Sequence, residues 1–296
     1  MKSSTTKIFR LLQWSTVFVF AGRAWQHFFY DVPLRTLLWD EAWMKPIVEG
    51  LFRISWEEYI TSLNVDDSIQ GAIYLMGLFY ALCAVVALSI RRVPPPVAKL
   101  LLWGAGGLVL LAALYCKERF FSIGQFFEYS LQVVSPVMLY KYVIEKWKGR
   151  TLLIVAKVTI ALTFICHGLY AVSYYPRPGY FVEMVMNTLA VKEAIAHQIL
   201  YCAGLMDFVV AGLIFLPNKI GRYALYYIVL WGAATTLARY TAYLDFSYLA
   251  ESLHQWTWEV FIRMPHFMIP IAVLLMQKER ITKAIHSEGT NRLPSR

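Results

Sequence analysis

The chain has 296 residues with a formal net charge of +9, and hydrophobic residues make up 58% of it. Charged residues account for only 16%, whereas a soluble domain carries about a quarter. The composition therefore excludes an ordinary soluble globular protein. Apolar runs of membrane-spanning length recur along the chain. Each is expected to be a helix, because hydrocarbon cannot hydrogen-bond free backbone groups.

The runs predict an all-α polytopic membrane protein with about eight transmembrane helices. In chain order they cover residues 8–30, 68–90, 97–116, 125–144, 151–175, 195–216, 222–243 and 254–277. Each run is longer than the strands of about 10 residues that form transmembrane barrels. Residues 279–296 follow the last run and are predicted to form a cytoplasmic tail.

The distribution of basic residues predicts how the helices are oriented. Both ends of the chain and the even-numbered connections are rich in Lys and Arg, whereas the odd-numbered connections carry most of the acids. Short basic loops stay in the cytoplasm, so both termini are expected there, in a multi-pass protein of a bacterial-type cytoplasmic (inner) membrane. Because this topology accounts for the net charge, the expected partner is the lipid bilayer and not nucleic acid.

The two halves of the chain share short motifs in the same order. LWGA occurs at 102–105 and at 230–233, and YLMGLFYALCA at 74–84 aligns with YCAGLMDFVVA at 201–211. FAGRAWQ at 20–26 aligns more weakly with FICHGLY at 164–170, and Pro136 pairs loosely with Pro265. The matches indicate a first repeat at 1–148 and a second at 149–278, with four helices each. An even number of helices gives both repeats the same orientation, so we expect a parallel duplication.

The first repeat contains an insertion at residues 31–66, in the connection between its first two helices. The inserted sequence mixes Trp, Leu and Phe with acids at roughly helical spacing, which is typical of an interfacial helix. We expect it to form a lid that packs on the bundle. The alternative is a docking surface for a partner protein.

Polar side chains inside the apolar runs are the candidate functional residues, since charged groups in hydrocarbon usually face a bundle interior and are paired. The candidates in the second half are His167, Asp207, Arg239, Glu259, Arg263 and His266. Their first-half counterparts and neighbours are Arg23, His27, Tyr80 and Glu128. Arg23 aligns with His167, and Tyr80 with Asp207, so the halves differ at their polar positions. This divergence favours a site in the second half, although drift explains it too.

These residues have structural interpretations beside the functional ones. Arg263 can form an ion pair with Asp207, or with Glu259 one helical turn away, and either pair fixes the register of helices. His167 can hydrogen-bond to a neighbouring helix. Its functional alternatives are a proton relay or a contact to a quinone headgroup.

The sequence predicts no metal site and no conventional catalytic motif. Its four cysteines form no CxxC, and there is no phosphate-binding glycine loop, HExxH motif or nucleophile elbow. Haem b is disfavoured because the helical rise places His167 and His266 at depths that differ by about 10 Å. A bound quinone remains the expected cofactor, if there is one.

The second half resembles the DoxX-like four-helix membrane proteins. The resemblance rests on Phe164-x-x-His167-Gly168, on an acid at Asp207 ahead of VVAGLIFL, and on the basic turn PNKIGR. The first half departs from it, with Arg23-Ala24 in place of His-Gly and Tyr80 in place of the acid. The resemblance implies a four-helix membrane fold. It also implies a role like that of family members that are small subunits of quinone-linked oxidoreductases acting on sulfur compounds.

Three functions follow from these observations. The first is a quinone- or lipid-binding subunit that uses His167, Asp207 and Arg263 and works with a redox partner, so that any enzymatic role belongs to a quinone-linked oxidoreductase. The second is a small-solute or proton transporter that uses the same polar residues. The third is a structural or assembly factor that docks a partner through residues 31–66.

Overall fold

A computed structural model describes the backbone of residues 2–147 and 149–290, and the side chains of 5–147 and 149–278. Within these ranges all regular elements are helices. They are α1 (Lys2–Phe29), α2 (Leu34–Leu38), α3 (Glu41–Ile47), α4 (Trp56–Thr61), α5 (Leu63–Leu88), α6 (Pro95–Ala98), α7 (Leu100–Glu118), α8 (Ile123–Glu128), α9 (Ser130–Val143), α10 (Gly149–Ala171), α11 (Gly179–Leu189), α12 (Glu193–Leu213), α13 (Lys219–Tyr243), α14 (Leu249–Arg263) and α15 (Pro265–Thr290). A π-helical turn covers Val48–Phe52, and a 3-10 turn covers Phe246–Tyr248.

Every predicted apolar run overlaps helices of the structure, but three of the runs are interrupted. The third run is divided at Lys99 into α6 and α7, the fourth at Tyr129 into α8 and α9, and the eighth at Met264 into α14 and α15. The last helix continues to Thr290, through most of the predicted tail, whose residues 291–296 lie outside the described part of the chain.

Five helical stretches of the described residues are long and apolar enough to cross a membrane. They are Leu63–Leu88, Pro95–Glu118, Gly149–Ala171, Glu193–Leu213 and Phe246–Lys278. Among the remaining predicted spans, α9 has only 14 residues. Polar residues such as Arg23, Gln26 and His27 lower the mean hydropathy of α1, and all three are buried inside the protein. Interior polar residues therefore weaken the apolar signal of a helix.

Helix α1 packs against helices from both halves of the chain. It contacts α5 and α9 from its own half and α14 and α15 from the other, while α10 contacts α8, α9, α12 and α15. At Gly22 of α1, an added Cβ would lie 2.9 Å from Phe261 Cβ and 2.9 Å from the carbonyl oxygen of Trp258. One apolar cluster includes Leu12 and Ile269 and extends through both halves. The halves therefore share a single core.

The segment 31–66 lies against α5 and α7. Its Val32 joins a small apolar cluster with Ile69, Ile73 and Leu111. The Lys117 ammonium group donates to the Asp40 carboxylate at 2.5 Å and to the Thr36 carbonyl at 2.8 Å. Several large apolar side chains of the segment remain exposed: Trp39, Trp43, Ile47, Leu51, Phe52 and Leu63. The segment is therefore helical and attached to the bundle, and it carries the exposed apolar surface expected of an interfacial element.

Replacement of Gly22 by Ala tests the contact between the two halves. The new methyl group would meet a backbone oxygen that cannot move alone, so we expect the free energy of unfolding to fall by about 1–3 kcal/mol. Equilibrium unfolding of the purified protein in mixed detergent measures the change. Gly106→Ala is the matched control, because nothing lies within 4 Å of that position. Equal stability of the two variants would contradict the close packing of α1 on α14.

Replacement of Asp40 by Asn tests the attachment of segment 31–66. The hydrogen bond from Lys117 holds the pKa of Asp40 below its ordinary value. The ion pair is therefore complete above that ordinary value, and is lost as pH falls through the lowered pKa. We expect Asp40→Asn to speed proteolytic cleavage within 31–62 at neutral pH. The wild type should become equally sensitive to pepsin only below about pH 4. Asp67→Asn replaces an exposed acid and should leave the rate of cleavage unchanged, both at neutral pH and with pepsin at acid pH.

Candidate functional site

A cavity of about 210 Å³ lies between α10, α11, α12 and α13, with α14 and α15 completing its wall. Apolar side chains form most of the lining, including Phe164, Phe181, Leu200 and Trp231. Its polar lining residues are His167, Asp207, Thr188, Thr235, Arg239, Arg263 and His266. The structure thus brings together five of the six candidates from the second half. The sixth, Glu259, lies behind the two arginines.

Glu259 pairs with both arginines. Its Oε2 accepts from Arg239 Nε and from Arg263 Nη1, each at 3.0 Å. Arg239 also donates from Nη1 to the Thr235 carbonyl at 2.6 Å. The Glu259–Arg263 pair predicted from the sequence is therefore present. The alternative Asp207–Arg263 pair does not occur among the described contacts.

His167 and His266 contact each other directly, since their Nε2 atoms are 3.3 Å apart. The prediction that their depths differ by about 10 Å was wrong, because it counted residues 254–277 as one straight helix. The break at Met264 instead places His266 second in a new helix, α15. At 3.3 Å the two imidazoles leave no space between them for a porphyrin.

Pro265 explains the position of His266. Proline has no backbone N–H, and the carbonyl of Phe261 accepts a hydrogen bond from Met264 N instead. The Phe267 N–H bonds to the Met264 carbonyl, so the Arg263 carbonyl accepts from side chains instead, and Thr236 Oγ1 donates to it at 3.3 Å. His266 Nδ1 bonds to that carbonyl at 2.8 Å. The helix break therefore orients the imidazole toward α10.

Asp207 is the unpaired polar residue of the cavity. It is 2% exposed, and its Oδ1 has no hydrogen-bond partner among the described residues. Trp231 lies beside the carboxyl group and also lines the cavity. Leaving a buried acceptor unsatisfied costs about 1–3 kcal/mol. An unpaired buried group of this kind indicates a place where a ligand can donate a hydrogen bond.

Glu128 comes from the first half but lies beside the second-half site. Its Oε1 is 3.7 Å from His167 Nδ1, and its Oε2 accepts from Gln125 Nε2 at 3.3 Å. The sequence analysis grouped Glu128 with the first-repeat counterparts of the site residues. In the structure it lies beside His167, because α10 packs against α8 and α9 of the first half.

The other three first-half candidates form a separate cluster. Arg23 is fully buried and donates from Nη1 to Gln26 Oε1 and from Nη2 to Gln132 Oε1, both at 2.6 Å. His27 Nδ1 bonds to the Arg23 carbonyl at 2.6 Å, and its ring packs edge-on against Tyr80 at 5.1 Å. Arg23 therefore bonds to amide oxygens and not to a carboxylate.

Helix α11 is the site element that the sequence prediction missed. It lies in the short second-half connection and contributes Phe181, Val185 and Thr188 to the cavity. Their spacing of four and three residues was the available signal. Contacts with the end of α13 hold the helix in place: Tyr243 donates to Glu183 Oε2 at 3.2 Å, and Asn187 Nδ2 donates to the Ala242 carbonyl at 3.3 Å.

The cavity offers hydrogen-bonding groups of both kinds within an apolar wall. Arg263 supplies N–H donors, the His167–His266 pair supplies imidazole nitrogens, and Asp207 supplies an acceptor. Among the described residues, no group of three or more His, Cys, Asp or Glu could hold a metal ion. The donors and acceptors of the cavity can bind a polar ligand and exchange protons with it.

Comparison with known proteins found no matching family model, no matching curated protein and no matching solved structure. The resemblance to DoxX-like proteins consequently stays a prediction from the motif in α10 and α12. The function must be argued from the cavity.

Substitutions in the Glu259 network test its balance of charge. Glu259→Gln leaves two buried arginines without their shared carboxylate, and we expect it to lower the free energy of unfolding by about 3 kcal/mol or more. Arg263→Gln should cost less, because Arg239 still pairs with Glu259. Equilibrium unfolding in mixed detergent measures both.

The double variant Glu259→Gln/Arg263→Gln is the control. It removes one charge of each sign, so it should be more stable than Glu259→Gln alone. If the loss of unfolding free energy in the double variant equalled the sum of the losses in the two single variants, the arginines would not share Glu259.

Proposed function

We propose that this chain is an eight-span integral membrane protein that binds the headgroup of a quinone or a similar amphiphile in the second-half cavity. The observation that carries the proposal is the buried Oδ1 atom of Asp207, which has no hydrogen-bond partner among the described residues. It shares a largely apolar cavity with the contacting His167–His266 pair. Asp207 on one wall can thus accept a hydrogen bond from a ligand, and the histidine pair on another wall can donate one.

Helix lengths support eight spans. A hydrocarbon core of about 30 Å needs about 20 helical residues, and α1 has 28 residues and α13 has 25. Although α9 is short, α8 and α9 together extend over Ile123–Val143. The polar residues that lower the hydropathy of these helices, such as Arg23 and Arg239, are buried inside the protein.

Matching contacts in the two halves support the duplication. In the first half, Arg23 of α1 donates to Gln132 of α9. In the second, His167 of α10 contacts His266 of α15. Arg23 and His167 occupy aligned positions, and in both halves the helix that carries the partner follows a break and a shorter helix. Each repeat would then join its first and fourth helices through one polar pair.

The cavity matches a quinone headgroup in size and chemistry. Pockets for whole drug-sized ligands have volumes of about 300–1,000 Å³, so about 210 Å³ suits a single substituted ring. Phe164, Phe181 and Trp231 supply apolar contact to such a ring, and its two oxygens require polar partners on opposite sides. The family resemblance, with its quinone-linked oxidoreductases, supports a redox partner. Orientation with both termini in the cytoplasm rests on the distribution of basic residues.

Mass spectrometry and an optical spectrum of the gently purified protein test the proposal first, because a co-purifying quinone identifies the ligand. Tryptophan quenching by a decyl-substituted benzoquinol, whose hydroxyl groups can donate to Asp207, then measures affinity. We expect Asp207→Leu, which removes the acceptor, and His167→Phe each to weaken binding about tenfold, the equivalent of one hydrogen bond of about 1.4 kcal/mol. His254→Phe, outside the cavity lining, should bind normally.

Stability separates a binding role for Asp207 from a structural one. Because its buried Oδ1 has no partner, Asp207→Leu should leave the midpoint of thermal unfolding unchanged or raise it while binding weakens. A large loss of stability with unchanged quinone affinity would contradict the proposal. Solute flux in proteoliposomes that depends on Asp207, without quinone binding, would favour transport instead.

A further inference from the structure

Three side chains connect the two halves beside the cavity. His266 Nδ1 lies 2.8 Å from the Arg263 carbonyl oxygen, and His266 Nε2 lies 3.3 Å from His167 Nε2. His167 Nδ1 then faces Glu128 Oε1 at 3.7 Å, an ion-pair distance. The chain of contacts therefore begins at a carbonyl oxygen and ends at a carboxyl oxygen.

The protons needed by this chain can be counted. The Arg263 carbonyl can only accept, so the proton of the first contact lies on His266 Nδ1. A neutral imidazole carries one proton, so His266 Nε2 accepts and His167 Nε2 must donate. His167 Nδ1 then has a lone pair directed at Glu128. Two neutral imidazoles supply protons for the first two contacts only. The third contact, at 3.7 Å, is longer than a hydrogen bond, but a lone pair that faces a carboxylate at this distance is repelled unless a third proton is bound.

We propose that Glu128 and His167 bind this third proton between them, and that Glu128 is the proton donor and acceptor of the cavity. The proton can lie on either residue, giving a neutral imidazole with a carboxylic acid or an imidazolium with a carboxylate. Both forms make the third contact attractive and carry the same total charge. The two residues therefore titrate as one unit.

The position of Glu128 suits this role. His167 lines the cavity and Glu128 does not, so the imidazole lies between the acid and the cavity. The Glu128 side chain is 12% exposed, and its Oε2 bonds to Gln125, near the exposed turn that follows α7. Protons thus have a route to Glu128 that bypasses the cavity.

Other charged or titratable groups lie near the unit. They are Asp207 on α12, Arg239 on α13, Glu259 and Arg263 on α14, Arg119 in the turn after α7, and the tyrosines Tyr129, Tyr170 and Tyr180. Arg239 and Arg263 share the one carboxylate of Glu259. Glu259 balances the charge of only one of these two arginines. When Glu128 loses its proton, its negative charge balances the other arginine, and this stabilises the ionised form. The unit can therefore both hold the proton and release it.

Transfer to the cavity follows from the two nitrogens of His167. When a basic ligand oxygen, such as the phenolate of a deprotonated quinol, takes the proton from Nε2, His167 stops donating to His266 Nε2 and the proton of Glu128 moves to Nδ1. One O–H and one N–H bond break, one of each forms, and a carboxylate remains on Glu128. This transfer rests on the proposed function, whereas binding of the third proton does not.

Nitrogen-15 NMR of the ligand-free, histidine-labelled full chain in lipid nanodiscs counts the protons, with infrared spectroscopy for the carboxyl group. Protonated and bare imidazole nitrogens give well-separated signals, and the variants His167→Gln and His266→Gln assign them. At neutral pH we expect one of two results. Either three of the four nitrogens are protonated, or two are, together with a protonated-carboxyl band that Glu128→Gln removes.

Glu128→Gln replaces the third proton with an amide N–H. We expect it to leave two protonated nitrogens, to move the His167 Nδ1 signal, and to abolish the response of both histidines to pH. Glu118→Gln, an acid on α7 outside the chain of contacts, should change none of these signals. The wild-type count tests the proposal even if Glu128→Gln fails to fold.

Two protonated nitrogens with an ionised Glu128 in the wild type at neutral pH would overturn the proposal. An unchanged His167 signal in a folded Glu128→Gln variant would do so as well. Because the measurements use ligand-free protein, a negative result leaves quinone binding intact, and absence of quinone binding leaves the proton count intact.

Discussion

The structure depends on one constraint: polar groups inside an apolar helical core must find partners within the protein. Arg23 meets it with two glutamine amides, and Arg239 and Arg263 meet it by sharing Glu259. Each solution uses side chains from more than one helix. Several buried polar atoms of the described residues have no such partner, and Asp207 Oδ1 is the one among them that belongs to a residue lining the cavity, where a ligand can reach it.

The same constraint couples the helix break in the second half to the site. Pro265 withdraws a backbone donor, the hydrogen bonds around Met264 shift by one residue, and the Arg263 carbonyl becomes available to His266. Gly232 contributes because an added Cβ there would lie 2.6 Å from the His266 carbonyl oxygen, so α13 can approach α15 closely. A local backbone irregularity thus positions a side chain that a regular helix would point elsewhere.

Packing across the two halves of the chain brings residues of both halves to the same site. If each half were an independent bundle, the site would contain only second-half residues. Instead α10 packs against α8 and α9, and Glu128 reaches His167. One half then holds the cavity while the other supplies an acid behind it. Divergence between the halves at Arg23 and His167 is what such a division of roles would require.

The sequence alone determined the helical class, the positions of the long helices and most of the polar candidates. It could do so because apolar length and intramembrane charge are properties of local composition. It also identified the Glu259–Arg263 pair, which spans a single helical turn. Only the tertiary structure decided that His167 contacts His266, that Glu128 belongs with them, and that α11 closes the cavity. Those facts depend on a helix break and on contacts between residues that are distant in the chain. Neither can be predicted by counting residues along straight helices.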